Sequence, residues 1–302
     1  LNSSRFQNIN DLREVLGERA EPANSPAERW STITRDLSNI ELPDEFDARK
    51  VWPHCKTISK IRDQSRCGSC WAFATTGVMS DRLCIHSNGT VNVDLSVRDV
   101  VSCCDYCGAG CDGGYSRRAW DYWITKGIVT GGTYEDKEGC QPYPFPACSR
   151  EPNPNLFPPC PREPYDTPEC QQTCVQGYNG TYEKDKYFGK SFYYVATDEK
   201  QIRQEILLNG PVQASMSVFA DFANYHSGIY HHTVHYYVGS HAIRIVGWGE
   251  QYGVPYWIVA NSWNTDWGED GFFRILRGKD ECAIETSVQA GLPQIRRLSD
   301  FH

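Results

Sequence analysis

The stretch from 139 to 177 sets the hardest limit on what this chain can fold into. Cys140, Cys148, Cys160, Cys170 and Cys174 are spread there among ten prolines, from Pro142 to Pro168. Proline removes a backbone donor and fixes φ, so no helix or sheet interior persists through that density. A run this long without structure is unexpected in a compact domain unless cross-links through its cysteines hold it. The segment is read as a stapled loop between two differently patterned halves.

Ahead of the loop the pattern is helical. Trp71, Ala74, Val78 and Leu83 recur at helical spacing in a segment ending near His86, with Gly68 and Ser69 as its turn and cap. Leu95 to Val101 follows with Ser96 as N-cap, then Cys103, Cys104, Cys107 and Cys111, then Tyr115 to Lys126 with Trp120 and Trp123 facing a core. Behind the loop the pattern turns to short strands from Lys190 onward, with runs at 212–219, 241–248, 255–260 and 271–276. One helix interrupts them at Asp198 to Asn209, opened by a capping box of Asp198 and Gln201 and stopped by Gly210-Pro211. A helical half joined to a sheet half makes an α+β chain, with a cleft between the halves as the expected site.

Chemistry enters at that cleft. Cys70 stands at the start of the first long helix, where unpaired N–H groups and the positive end of the dipole favour a thiolate. His241 opens one strand-like run and Asn261 closes another, so a base and a group to orient it follow in the order Cys, His, Asn. Gly110-Cys111-Asp112-Gly113-Gly114 is a turn where backbone can approach a ligand closely.

A formal charge of −8 and a pI near 5.5 leave no basic footprint for nucleic acid. No apolar run approaches the ~18 residues of a membrane span. Fourteen cysteines in 302 residues point to an oxidising compartment. The sequons at Asn2, Asn88 and Asn179 agree with a secretory route, and a chain that begins at Leu1 is expected to have lost any signal peptide. Cys67 and Cys70 also have the spacing of a redox or zinc pair, but no second pair of metal spacing lies near them, and no metal or cofactor is expected. His231, His232 and His235 form a cluster able to bind a metal, but on a strand-rich surface they are read as solvated side chains.

Cys67-Gly68-Ser69-Cys70-Trp71, followed by His241-Ala242-Ile243 and by Asn261-Ser262-Trp263, resembles the signature of papain-like cysteine proteases. Cys70 and His241 stand further apart than the about 130–150 residues usual in that signature, so the two lobes carry an insertion between them. The proline and cysteine loop, with Cys103-Cys104 and the Gly110–Gly114 turn, narrows the resemblance to the cathepsin B group over residues 42 to 293. It implies a papain-like two-lobed fold: a helical left lobe, an antiparallel β-barrel-like right lobe and the cleft between them. Leu42-Pro43-Asp44-Glu45-Phe46-Asp47-Ala48-Arg49 resembles the start of a mature protease. Residues 1–41 are then a partial propeptide, with Phe6, Ile9, Leu12, Val15 and Leu16 at helical spacing. Residues 42–302 are the peptidase, and about 145–161 is its occluding loop.

The resemblance also implies roles. Cys70 is the nucleophile, His241 the base and then the acid, Asn261 the residue that orients the imidazole, and Gln64 a donor to the oxyanion. Trp263 covers the Asn261–His241 bond, Gly113 and Gly114 bind substrate backbone, and Ser287 forms the base of the specificity pocket between Ser215, Ala242, Tyr115 and Ser116. Six disulfides are implied: Cys55–Cys84, Cys67–Cys111, Cys103–Cys170, Cys104–Cys107, Cys140–Cys174 and Cys148–Cys160. Cys70 and Cys282 are left as thiols. The partners implied are protein and peptide substrates, the chain's own propeptide as inhibitor, and cystatin-like inhibitors. The location implied is the lysosome or the extracellular space.

Three places depart from the pattern. Relatives carry two histidines where this chain has Ser149-Arg150-Glu151, one pinned to the aspartate at Asp63 and the other holding the substrate's terminal carboxylate; Glu151 repels that carboxylate. A second latch in relatives joins a loop arginine to the aspartate matching Asp266, and this chain has Phe157 near that position. Endopeptidase activity is therefore expected to dominate over release of C-terminal dipeptides. An uncharged residue at 287, where cathepsin B has an acid, predicts preference for apolar over arginine side chains in the pocket. The competing function is a catalytically silent binding protein on the same scaffold. Acid is expected to loosen an inhibitory segment by protonating the carboxylates of its ion pairs.

Overall fold

The computed structural model describes residues 6, 8–22, 31–36, 40–149 and 157–295. After the short helices α1 (Ile9–Arg13), α2 (Ala48–Val51) and α3 (Lys56–Ser59) comes the central helix, α4 (Cys70–His86), in which every side chain from Cys70 to Cys84 is buried. The sequence spacing suggests one apolar stripe, but this helix lies between two cores and is covered on all sides. One core gathers Trp71, Val78, Leu83, Val100, Trp120 and Trp123, where α4 meets α5 (Val97–Cys103) and α6 (Ser116–Thr125). The other gathers Ile245, Trp248, Trp257, Phe222 and Phe273 around the sheet.

Burying helix α4 this completely requires its polar groups to be satisfied. Thr75, Thr76 and Ser80 donate back to the carbonyls of Trp71, Ala72 and Thr76 at 2.8, 2.8 and 2.6 Å. Asp81 pairs with Arg244 at 2.5 Å and Arg82 with Glu205 at 2.9 Å, so two buried ion pairs tie the helix to the opposite lobe.

The second lobe is a nine-stranded sheet built from β1 (Thr32–Ile33), β2 (Phe46–Asp47), β3 (Gly189–Val195), β4 (Val212–Phe219), β5 (Ile229–Tyr230), β6 (Tyr237–Gln251), β7 (Val254–Ala260), β8 (Phe272–Leu276) and β9 (Val288–Pro293). The order is β1-β3-β9-β4-β6-β7-β8-β5, with β2 added to β6. The fold is the expected papain-like one, with an open sheet that is barrel-like only loosely. Two of its pairings, β1 with β3 and β5 with β8, are parallel, while the rest are antiparallel. Strand β6 is longer than its sequence reading. It bends where register shifts against β7 between Ile245 and Gly247, and so serves three neighbours at once.

Helix α7 (Glu199–Asn209) is capped by Asp198, which accepts from the Lys200 N–H at 2.7 Å. The expected reciprocal bond from Gln201 is absent. Its amide instead exchanges hydrogen bonds with the backbone of Arg35, at 2.7 and 2.9 Å, and so anchors the chain that leaves β1. Ser69 stands at the N-cap of α4 but makes no capping bond there; its hydroxyl meets the Tyr143 hydroxyl at 3.1 Å.

The loop between the lobes is held as its composition requires. Disulfides close Cys140–Cys174, Cys148–Cys160 and Cys103–Cys170. Chain entropy alone makes a closure of 34 residues, the first of these, worth about 4 kcal/mol. No helix among the described residues is long and apolar enough to cross a membrane.

Candidate active site

Helix α4 brings Cys70 to the cleft as its first residue, and the sheet brings His241 on β6 and Asn261 just past β7. Ala242, next to His241, packs on Cys70 and Ala74, so strand and helix meet there. His241 Nε2 lies 2.8 Å from Asn261 Oδ1, and the same oxygen accepts from the Ser262 N–H at 2.8 Å. A group that already accepts one N–H is fixed as the carbonyl side of the amide, so the imidazole must donate through Nε2. Nδ1 then carries the lone pair, and it is buried without a hydrogen-bond partner. Trp263 lies against the imidazole with ring centroids 4.8 Å apart and is itself fully buried.

Gln64 is oriented as strictly. Its Oε1 accepts from Ser262 Oγ at 2.7 Å, which turns Nε2 toward the cleft. Tyr143 donates to the Gln64 carbonyl at 3.0 Å from the other side. Nε2 donates to the Cys67 carbonyl at 2.7 Å and to the carbonyl of Val15 at 2.8 Å. Val15 belongs to the N-terminal segment, which follows the short helix α1 (Ile9–Arg13) into the cleft.

This segment fills the groove residue by residue. The Gly17 N–H donates to Cys70 Sγ at 3.2 Å, the Gly17 carbonyl accepts from Gly114 N–H at 2.8 Å, and the Arg19 N–H donates to the Gly114 carbonyl at 2.9 Å. Glu18 pairs in parallel with Gly114. A Cβ on Gly17 would stand 1.7 Å from the Gly68 carbonyl oxygen, so only glycine passes there. Gly113, at φ +101°, makes room for the same crossing: a Cβ would meet the Gly17 oxygen at 2.8 Å. What the segment presents to the sulfur is thus a backbone N–H donor.

The Glu18 side chain enters a cavity of about 270 Å³ lined by Tyr115, Ser116, Ser215 and Ser287. Ser116 Oγ and Ser215 Oγ donate to its carboxyl at 2.6 and 3.1 Å. Four of the expected pocket residues are thus brought together. Ala242 is the exception, packing on Cys70 and Ala74 one step along the strand. Further out, Arg66 pairs with Asp11 and Glu14, Arg117 and Arg118 both pair with Glu21 at 3.1 Å, and Arg13 reaches the Tyr236 hydroxyl at 2.9 Å.

Enclosure reverses the expected ionisation. Burial, and after it the Glu18 carboxyl, push the Cys70 thiol up to about 12. Burial pulls the His241 imidazole down to about 4, against the opposing effect of its bond to Asn261. The expectation of a thiolate at the helix terminus is corrected for this closed form: desolvation outweighs the dipole, and both groups are neutral. Glu18 is pushed up to about 7 by burial, against the two serine bonds.

Residues 42–292 match the papain family cysteine protease profile. The chain belongs to the papain family of cysteine proteases. A cathepsin B-like cysteine proteinase of Schistosoma japonicum is 52% identical over 290 residues, covering 96% of this chain and 84% of that protein. Cathepsin B-like cysteine proteinase 6 of Caenorhabditis elegans is 51% identical over 267 residues, or 88% and 70% of the two chains. Among solved structures, procathepsin B S9 from Trypanosoma congolense superposes with a TM-score of 0.82 at 36% identity, covering 96% of this chain and 90% of that one. The chain is cathepsin B-like within the papain family.

This papain-family chain forms six disulfides, Cys55–Cys84, Cys67–Cys111, Cys103–Cys170, Cys104–Cys107, Cys140–Cys174 and Cys148–Cys160, and leaves Cys70 and Cys282 free. Cys67 is therefore unavailable for a dithiol with Cys70. Arg150, Glu151 and the sequon residue Asn2 lie outside the described residues. Asp63 accepts from the Cys148 N–H at 3.0 Å and from Asn264 at 2.9 Å, so it pins the base of the insertion directly. Asn88 and Asn179 are exposed. Sequence reasoning missed Ser262, Tyr143 and Glu18. Ser262 sits inside the Asn-Ser-Trp run, but nothing local says that its hydroxyl holds Gln64.

Proposed function

We propose that the chain is the zymogen of an endopeptidase in which residues 1–41 are an inhibitory prosegment. Cys70 attacks the peptide carbonyl, His241 takes the thiol proton through Nδ1 and returns it to the leaving amine, and water releases the acyl-enzyme. Asn261 fixes the imidazole tautomer. Gln64 Nε2 and the Cys70 backbone N–H stabilise the oxyanion. The observation that carries this reading is the Val15 carbonyl docked on Gln64 Nε2, two residues before the Gly17 N–H that meets the Cys70 sulfur: the amide already holds a peptide oxygen at 2.8 Å. Gly113 and Gly114 bind substrate as an added strand, as Gly114 binds Gly17 and Arg19.

Endopeptidase action is favoured because Ser149-Arg150-Glu151 lacks the paired histidines of relatives and sets Glu151 where it repels a terminal carboxylate, and because Phe157 replaces the arginine of the second latch. A pocket closed by Ser287 has no carboxylate to meet an arginine, so a Phe-Arg substrate is expected to outperform Arg-Arg by a large factor. The cross-linking and the exposed sequons at Asn88 and Asn179 suit a lysosomal or extracellular enzyme, and cystatin-like inhibitors are its natural competitors for the cleft. The test is cleavage of one peptide library with free and with amidated C-termini by the protein freed of residues 1–41. Internal cleavage unaffected by amidation supports the proposal. Stepwise release of C-terminal dipeptides, abolished by amidation, overturns its endopeptidase part.

A further inference from the structure

Two groups of nitrogen, oxygen and sulfur donors occur among the described residues away from the cleft. One places His54 beside Cys55 and Cys84, whose sulfurs are spent on each other. The other joins His232, on the connection between β5 and β6, to Glu281 and Cys282 in the turn that precedes β9, with one donor atom of each lying within 4.8 Å of the others. We propose that His232, Glu281 and Cys282 form a binding site for a divalent transition metal of the zinc type, with water in the fourth position.

The donor set is the first argument. Imidazole nitrogen, carboxylate oxygen and thiolate sulfur together suit zinc or cobalt, while calcium and magnesium take oxygen. Geometry is the second. A tetrahedral zinc with bonds of about 2.0–2.3 Å spaces its ligand atoms roughly 3.3–3.8 Å apart. Cys282 Sγ stands 3.4 Å from Glu281 Oε1. His232 Nδ1 stands 2.6 Å from the same oxygen, so the carboxylate has only to swing by under about 1 Å to admit the ion. The imidazole plane is already set, because His232 stacks on Phe219 with ring centroids 4.2 Å apart and 12° between planes. His235 stands by, its ring 5.3 Å from that of His232.

Charge is the third. The thiol proton leaves to solvent as the sulfur binds, and a dication with one thiolate, one carboxylate and a neutral imidazole has no net charge. Such a site suits a place where Cys282 is buried and the other two are mostly covered. Bound metal would tie the β5–β6 connection, whose Tyr236 holds Arg13 of the N-terminal segment, to the turn that leads to Ser287.

The test is titration of the intact chain with Co²⁺, whose bond to a thiolate gives a charge-transfer band in the near ultraviolet. The result expected is a band that saturates at one equivalent, is displaced by Zn²⁺, persists in Cys70→Ser, disappears in Cys282→Ser and needs at least tenfold more cobalt in His232→Ala. Should Cys282→Ser fail to fold, peptide mapping of the unsubstituted chain replaces it: Zn²⁺ should protect Cys282 from iodoacetamide, and chelation should reverse the protection. Absence of both band and protection overturns the proposal. So does a band that survives Cys282→Ser and is lost in Cys70→Ser, which would put the metal on the cleft thiol.

Discussion

The Gly17 backbone N–H donates to Cys70 Sγ across 3.2 Å, and the closing segment thereby presents a donor where attack needs an electrophile. The contact exists because Gly17 alone can pass the Gly68 carbonyl. Gly17→Ala is expected to lift the segment while leaving the two cores intact. Loss of about 1.4 kcal/mol of docking suffices for a tenfold effect. Alkylation of Cys70 in the intact chain should therefore rise at least about tenfold, with the thermal midpoint of the protease body unchanged.

Glu18 makes docking depend on pH in an unexpected direction. Its carboxyl rises from the ordinary 4.5 to about 7 when buried, so the docked form keeps a proton that the released form gives up between those values. This group's support for docking is complete below about pH 4.5 and fades as pH climbs toward 7, by about 3 kcal/mol in total. Glu18 therefore works against any release of the segment by acid. Glu18→Gln should flatten the dependence of Cys70 exposure on pH across this window and hold the segment more tightly at neutral pH. Alkylation rates of the two chains measured side by side check it; parallel pH curves would argue that Glu18 is a bystander.

Ser262 earns a place among the positioning residues through Gln64. With Ser262→Ala the Gln64 amide loses the bond that aims Nε2 at the cleft. Deleting an oxyanion donor outright costs about 10²–10³ in turnover, which is the expectation for Gln64→Ala. Ser262→Ala should cost a fraction of that, about tenfold in kcat with KM nearly unchanged, in the protein freed of residues 1–41. A loss confined to KM would contradict the assignment.

The lobes are joined by a charge pair that tolerates no half. Arg244 bonds Asp81 at 2.5 Å and also donates to the Thr57, Ile58 and Lys60 carbonyls. Asp81→Ala strands a buried guanidinium and is expected to cost about 3–5 kcal/mol, read as a lowered denaturant midpoint.

How far the sequence could be read follows from the range of each interaction. Cys70, His241 and Asn261 were legible because each ends or begins a run whose local pattern is strong, and the proline density of 139–177 could only mean a stapled loop. Strand β9 was not, since Gln289 and Gly291 break its apolar pattern although both are packed between neighbours. Gln201 looked like half of a capping box and serves Arg35 instead, a partner far away in sequence. The ionisation of Cys70 was misjudged for the same reason: the helix terminus is local, whereas the cover that desolvates it arrives from residue 17.

The central claim is that Cys70 is kept neutral and out of reach by the segment lying on it. Labelling with an epoxysuccinyl inhibitor, followed by peptide mapping, measures this directly in the intact chain and after removal of residues 1–41. The intact chain should resist labelling, and the trimmed protein should take up one equivalent at Cys70 and hydrolyse a Phe-Arg substrate until it does. Equal labelling of the two forms, or uptake at Cys282 with peptidase activity undiminished, would contradict the account.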